Sequence, residues 1–281
     1  MRKRSTIVAL VIVLLLVTVT TAGAITWGEL DGDAHPSVGI VYFELPSGIW
    51  RCTGTLLSPQ VLLTAGHCTE EFGVTNLDTW VSFEPEIVFP SDLDLDDDEA
   101  FKAYLDANFI HGQAYPHPLY DDYSEFPNTY DVGVVVLDEP YNLPADQYGQ
   151  LPALGLLDTL TRGQGRRDRA FTVVGYGLQG YIPPYYSAER TRYQGQVSLI
   201  EVNSASTGDG QGAKFTNNPG KGNGSGGTCF GDSGGPVFHG DSNVVGAVVS
   251  WGITPCIGVD YQFRMDTALA QDFVMSFLPA P

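Results

Sequence analysis

Three residues sit in surroundings suited to nucleophilic acyl transfer. Ser233 lies in Gly231-Asp232-Ser233-Gly234-Gly235-Pro236. Glycines around a serine let the backbone turn sharply and bring successive N–H groups toward one point, as an oxyanion pocket requires. The same string of turn formers also occurs in ordinary loops. His67 stands in Leu63-Thr64-Ala65-Gly66-His67-Cys68, just after an apolar stretch and beside a cysteine able to pin its loop. Taken alone it could equally be a packed or metal-binding histidine. Asp131 leads directly into the apolar run Val132-Gly133-Val134-Val135-Val136-Leu137, where an acid is usually a strand-start or turn residue. Together they supply a nucleophile, a base and an acid to orient the base.

Elements that could hold these residues follow from the apolar pattern. Short apolar stretches at 38–43, 54–57, 61–64, 132–137, 171–174, 197–202 and 244–250, separated by Gly, Pro, Asn and Asp, predict an antiparallel all-β fold. The last segment predicts the one clear helix, with Asp266 or Thr267 as cap and Leu269, Phe273 and Phe277 at a spacing of four. Loops are expected over the acidic 91–99, the Tyr/Pro-rich 175–187 and the glycine-rich 219–227, which lacks the phosphate-binding P-loop pattern. No internal repeat is visible.

Composition narrows the function classes. A hydrophobic fraction of 43% with 33 Gly and 18 Pro describes a loop-rich globular protein rather than a disordered or multi-spanning one. Residues 1–24 have the three parts of a secretory signal peptide: basic Arg2, Lys3 and Arg4, an apolar run over 7–19, and small Ala22-Gly23-Ala24. That run is shorter than the ~20 residues of a spanning helix. A secreted protein free of the membrane after signal cleavage is therefore expected. Losing three basic residues and no acidic one takes the net charge from -19 to -22, which argues against nucleic-acid binding and suits high salt or low pH. Four cysteines in an exported chain are expected to be bridged, and sequence alone leaves three connectivities open.

The order His67, Asp131, Ser233 differs from that of α/β-hydrolases and of subtilisins. The motifs around the three residues resemble those of the chymotrypsin/trypsin family of serine proteases, from Ile25 to the C-terminal helix. The resemblance implies two packed antiparallel six-stranded β-barrels with a C-terminal α-helix: a first barrel over roughly 25–145, a second over roughly 146–265 and a helix over roughly 267–278. It further implies a secreted enzyme of the microbial trypsin-like type, a monomer without a cofactor that acts on protein or peptide substrates. Ser233 would be the nucleophile, His67 the general base and Asp131 the buried acid, with an oxyanion hole from the N–H groups of Gly231 and Ser233.

The resemblance also implies disulfides Cys52–Cys68 and Cys229–Cys256, and an active form in which a new Ile25 ammonium pairs with Asp232. Trp27 departs from the family's usual glycine. Gly227, six residues before the nucleophile, would floor the specificity pocket, with Thr228 beside it and Ser250, Trp251 and Gly252 as a wall. That predicts a neutral, apolar or small side chain at the cleaved residue. Asp260 carries the alternative, a preference for Lys or Arg. The rivals are a catalytically inactive binding protein and an enzyme that keeps the nucleophile but acts as an esterase or on one dedicated protein partner.

No cofactor is expected. The run Asp92, Asp94, Asp96, Asp97, Asp98 and Glu99 has carboxylates at a spacing able to take Ca²⁺ but lacks the EF-hand glycine and terminal Glu, so a solvated acidic face is expected. His111 and His117 are expected at the surface, and Asn223-Gly224-Ser225 is a glycosylation sequon.

Overall fold

The computed structural model describes residues 25–162, 165, 168–182, 184–218 and 226–279. The expected signal peptide, most of the glycine-rich stretch and the Asn223 sequon lie outside the described residues. The first barrel consists of β1 (Val38–Leu45), β2 (Gly48–Leu56), β3 (Val61–Thr64), β4 (Asp78–Ser82), β5 (Ile110–Pro116) and β6 (Gly133–Leu137). They close in the order β1-β2-β3-β6-β5-β4, with β4 pairing back onto β1.

The second barrel consists of β7 (Ala170–Gly175), β8 (Tyr193–Glu201), β9 (Gly212–Asn217), β10 (Pro236–His239), β11 (Val245–Gly252) and β12 (Gly258–Arg264). Its cyclic order is β7-β8-β9-β12-β11-β10, the same topology as the first. β8 shows the period-two logic of a barrel wall: Tyr193, Gly195, Val197 and Leu199 are buried, while Gln194, Gln196, Ser198 and Ile200 are partly exposed.

Two apolar clusters fill the barrels. One packs first-barrel residues such as Ile40, Leu62 and Val134 with Ala270 and Val274 of the C-terminal helix. The other gathers Phe171, Leu199, Phe215 and Val237 of the second barrel around Ile25. Arg192 bolts the halves together. Its guanidinium, 1% exposed, pairs with Asp31 at 2.8 Å and donates to the carbonyls of Gly32, Val38 and Phe83. Burying an arginine is tolerable only when its donors are taken up in this way.

The chain ends are exchanged between the halves. Thr26 pairs with Gly227, and the short strand Glu29–Leu30 adds to the edge of β8. The C-terminal helix instead lies on the first barrel, Phe273 against His117 and Phe277 against Tyr115, with ring centroids 5.1 and 5.0 Å apart.

Several expectations need correction. The acidic 91–99 stretch is not wholly loop, because α1 (Asp98–Asn108) begins inside it. Asp97 caps this helix by accepting from the N–H groups of Glu99 and Ala100, Asp98 and Glu99 favour its positive end, and Phe101 and Leu105 are buried one turn apart. A short helix, α2 (Leu156–Leu160), was also not foreseen. In the 175–187 stretch, Gly180–Ile182 and Tyr185–Ser187 pair as a hairpin. The terminal helix α3 (Ala268–Met275) is capped by Thr267; Asp266 is engaged by Arg264. His117 is not a surface residue, since it is stacked on Tyr130 and buried, and burial lowers its pKa.

Candidate active site

Strand pairing brings His67 and Asp131 together. Thr64, the last residue of β3, is opposite Gly133, the first of β6, so the residues just beyond these ends leave the sheet side by side. Cys68 is bonded to Cys52 on β2, which holds the single turn Gly66–Cys68 against the barrel. A Cβ on Gly66 would approach Tyr120 and the Asp131 carboxylate, so glycine permits the close packing.

Asp131 is wholly buried, and donors from both barrels reach it. Its Oδ1 accepts the His67 backbone N–H at 2.9 Å, and His67 Nδ1 lies 3.1 and 3.0 Å from Oδ1 and Oδ2. Oδ2 also accepts the hydroxyls of Tyr123 at 2.8 Å and of Ser250 at 2.5 Å. Burial alone would raise the Asp131 pKa, but the His67 charge and these donors outweigh it and hold the group below the usual carboxylate value. Burial likewise acts to lower the His67 pKa, and the Asp131 charge and hydrogen bond reverse that and raise it.

Ser233 enters from the other barrel. Its loop is anchored by the bond between Cys229 and Cys256 and turns through Gly231 and Gly234, both at positive φ. The Ser233 carbonyl accepts from Thr53 N–H of β2 at 2.7 Å, and the Thr53 hydroxyl donates to the Gly231 carbonyl at 2.9 Å, so the loop is tied across the cleft to the first barrel. Ser233, Gly231 and His67 line one cleft of about 750 Å³. The Ser233 hydroxyl and the N–H groups of Gly231 and Ser233 have no partner among the described residues. The hydrogen bonds of such a group commonly tighten only once substrate is bound.

Asp232 is buried, and its two oxygens accept the N–H groups of Gly177 and Cys229, each at 2.8 Å. Burial pushes its pKa up to about 7. The expected Ile25–Asp232 ion pair requires a free Ile25 ammonium, which the uncleaved chain does not have. There the Ile25 nitrogen is a peptide nitrogen, and the Ile25 side chain packs in the second-barrel core.

The structure places the expected pocket residues differently from one another. Thr228, Ser250, Trp251, Gly252 and Asp260 all line the cleft. Gly227 is instead packed against Asn217: a Cβ at Gly227 would lie 1.6 Å from the Asn217 side-chain oxygen. Asn217 on β9 sits diagonally across from Asp260 on β12 and donates to the Asp260 carboxylate, to which the Thr228 hydroxyl also donates. Asp260 is 2% exposed, and burial pushes its pKa up to about 7. Trp251 stacks face to face on Tyr261, centroids 3.9 Å apart.

Residues that sequence reasoning missed are Tyr123 beside the imidazole, Tyr120 against Gly66 of the histidine loop, Asn217 beside Asp260, and Arg51, which lines the cleft. The acidic rim of Glu70, Glu71 and Asp122 was also missed. None lies in a motif of its own. Among the described residues the one compact trio of possible metal ligands is Cys52, His67 and Cys68, and both its sulfurs are committed to a disulfide.

Comparison with known proteins agrees with this architecture. The sequence profile of the family described as Trypsin matches residues 32–273. A solved structure described as HL collagenase superposes with a TM-score of 0.63 at 17% identity, covering 90% of this chain and 97% of that one. Another, described as GrC, gives 0.61 at 17% identity, covering 89% and 96%.

Proposed function

Because the chain belongs to the trypsin family, we propose that it is a secreted serine endopeptidase whose triad is His67, Asp131 and Ser233. The observation that carries this is the buried Asp131 holding His67 Nδ1 at 3.0 Å at the mouth of the cleft that Ser233 also lines. Ser233 Oγ attacks the scissile carbonyl carbon while His67 Nε2 takes its proton, and the Asp131 charge stabilises the imidazolium so formed. The N–H groups of Gly231 and Ser233 donate to the oxyanion. His67 then gives its proton to the departing amine. A water molecule, deprotonated by His67, hydrolyses the acyl-enzyme and regenerates the serine.

The cleaved residue is proposed to be basic. Asp260 lines the cleft from a nearly buried position and its side-chain partners Asn217 and Thr228 are both neutral, so a bound ammonium or guanidinium would supply the opposite charge that these partners do not. This favours the Asp260 alternative over a neutral pocket floored by Gly227. Release of residues 1–24 is proposed to deliver the protein outside the cell with Ile25 first.

One experiment addresses the whole reading: the secreted wild type and Ser233→Ala are treated with a fluorophosphonate probe, then incubated with casein. The wild type is expected to begin at Ile25, to be labelled at Ser233 and to cut casein, and the variant to do neither reaction. Equal cutting by both would remove Ser233 from the mechanism.

A further inference from the structure

The loop that closes over His67 contributes a group with no place in the three-residue scheme. Asp122 and Tyr123 are consecutive non-glycine residues at φ 55 and 61. Such left-handed pairs cost energy and persist where surroundings over-determine them. Here Asp122 is held by the Phe72 N–H and the Tyr120 hydroxyl, and Asp121 accepts from the N–H of Glu125. The turn so fixed carries the Tyr123 hydroxyl to 2.8 Å from Asp131 Oδ2 and 3.1 Å from His67 Nδ1. Burial and the Asp131 charge raise the Tyr123 pKa well above its ordinary value, so the phenol stays protonated and donates.

We propose that Tyr123 is a positioning residue for the His67–Asp131 pair, its hydroxyl donating to Asp131 while its oxygen faces the Nδ1–H of His67. The inference rests on the serine-peptidase reading above. The O–H bond points toward the carboxylate, which leaves the negative end of that dipole 3.1 Å from Nδ1. That arrangement favours the Nδ1–H tautomer and the imidazolium that forms during acyl transfer, and it limits swinging of the ring. Charges facing His67 come from Asp131 on its own barrel wall and from Asp122 on the loop, and a change at Tyr123 alters neither.

The test compares wild type, Tyr123→Phe and Tyr123→Ala in the full secreted protein. Phenylalanine keeps the ring and removes only the hydroxyl. Tyr123→Phe is expected to lower kcat on a chromogenic peptide ester about 10-fold, the size of one hydrogen bond to a charged group, with KM little changed. Its His67 ring, titrated by NMR, is expected to lose its proton at a pH lower by roughly half a unit. If Tyr123→Phe matches wild type in kcat and in the His67 titration, and only Tyr123→Ala is impaired, the ring merely packs and the proposal is overturned. The titration needs no turnover. A wild type inert to the fluorophosphonate probe would therefore overturn the peptidase reading, while the His67 shift still decides for or against Tyr123.

Discussion

Asp260 in the cleft lining and Asp131 behind His67 are both nearly wholly buried, and their neighbours set them opposite tasks. Asp131 has the His67 charge beside it and keeps its own charge; Asp260 has the neutral Thr228 and Asn217 as its side-chain partners among the described residues, and burial pushes its pKa up to about 7. Between the unperturbed 3.8 and about 7 the folded protein therefore holds a proton at Asp260 that the unfolded chain has released. By linkage its contribution to stability is greatest below this window and is lost as pH rises through it. While Ile25 remains in peptide linkage, Asp232 is raised in the same direction and adds to this slope. A cationic substrate side chain reverses the preference by stabilising the carboxylate. Cleavage after Lys or Arg should accordingly rise as pH passes about 7, and Asp260→Asn should lose roughly 30-fold or more of that preference. The same variant should show a flatter dependence of Tm on pH between 5 and 8. An unchanged cleavage pattern in Asp260→Asn would place the specificity determinant elsewhere.

At the scale of elements, what was legible in the sequence was what chemistry or periodicity marks locally. His67, Asp131 and Ser233 could be picked out because each abuts an apolar strand or a cysteine. The meeting of His67 with Asp131 depends on the pairing of β3 with β6, and the approach of Ser233 on the tie to Thr53 across the cleft, which no local pattern displays. Tyr123 and Asn217 were not legible for the same reason. One reaches its place through two strained backbone positions, the other through the register of β9 on β12. The acidic run illustrates a different ambiguity, since a cap followed by acids in the first turn has the composition of a solvated loop. The cap is testable by Asp97→Ala, which should cost about 1 kcal/mol of stability in a denaturant titration and leave peptide cleavage unaltered. A loss of activity instead would tie α1 to the cleft. The two six-stranded barrels followed from the family resemblance and not from internal likeness: VGIVYFEL in β1 and AFTVVG in β7 occupy equivalent places without an evident repeat.

For the whole molecule, the exchanged chain ends make a clasp. Residues 25–31 grip the second barrel, through the Thr26 bridge, the Glu29–Leu30 strand and the Asp31–Arg192 pair, although the chain continuing from them builds the first. The closing helix grips the first barrel, although it emerges from the second. Both disulfides stay within one half, so nothing covalent except the connecting segment joins the two. That segment is exposed at Ala153 and Leu154. A cut between those residues should therefore yield two polypeptides that travel as one particle in native gel filtration and part only in denaturant. Separation in plain buffer would show that the grip is weak. If they hold, the cleft survives a severed backbone, because the enzyme's two halves are fastened by what they lend each other and not by the thread that runs between them.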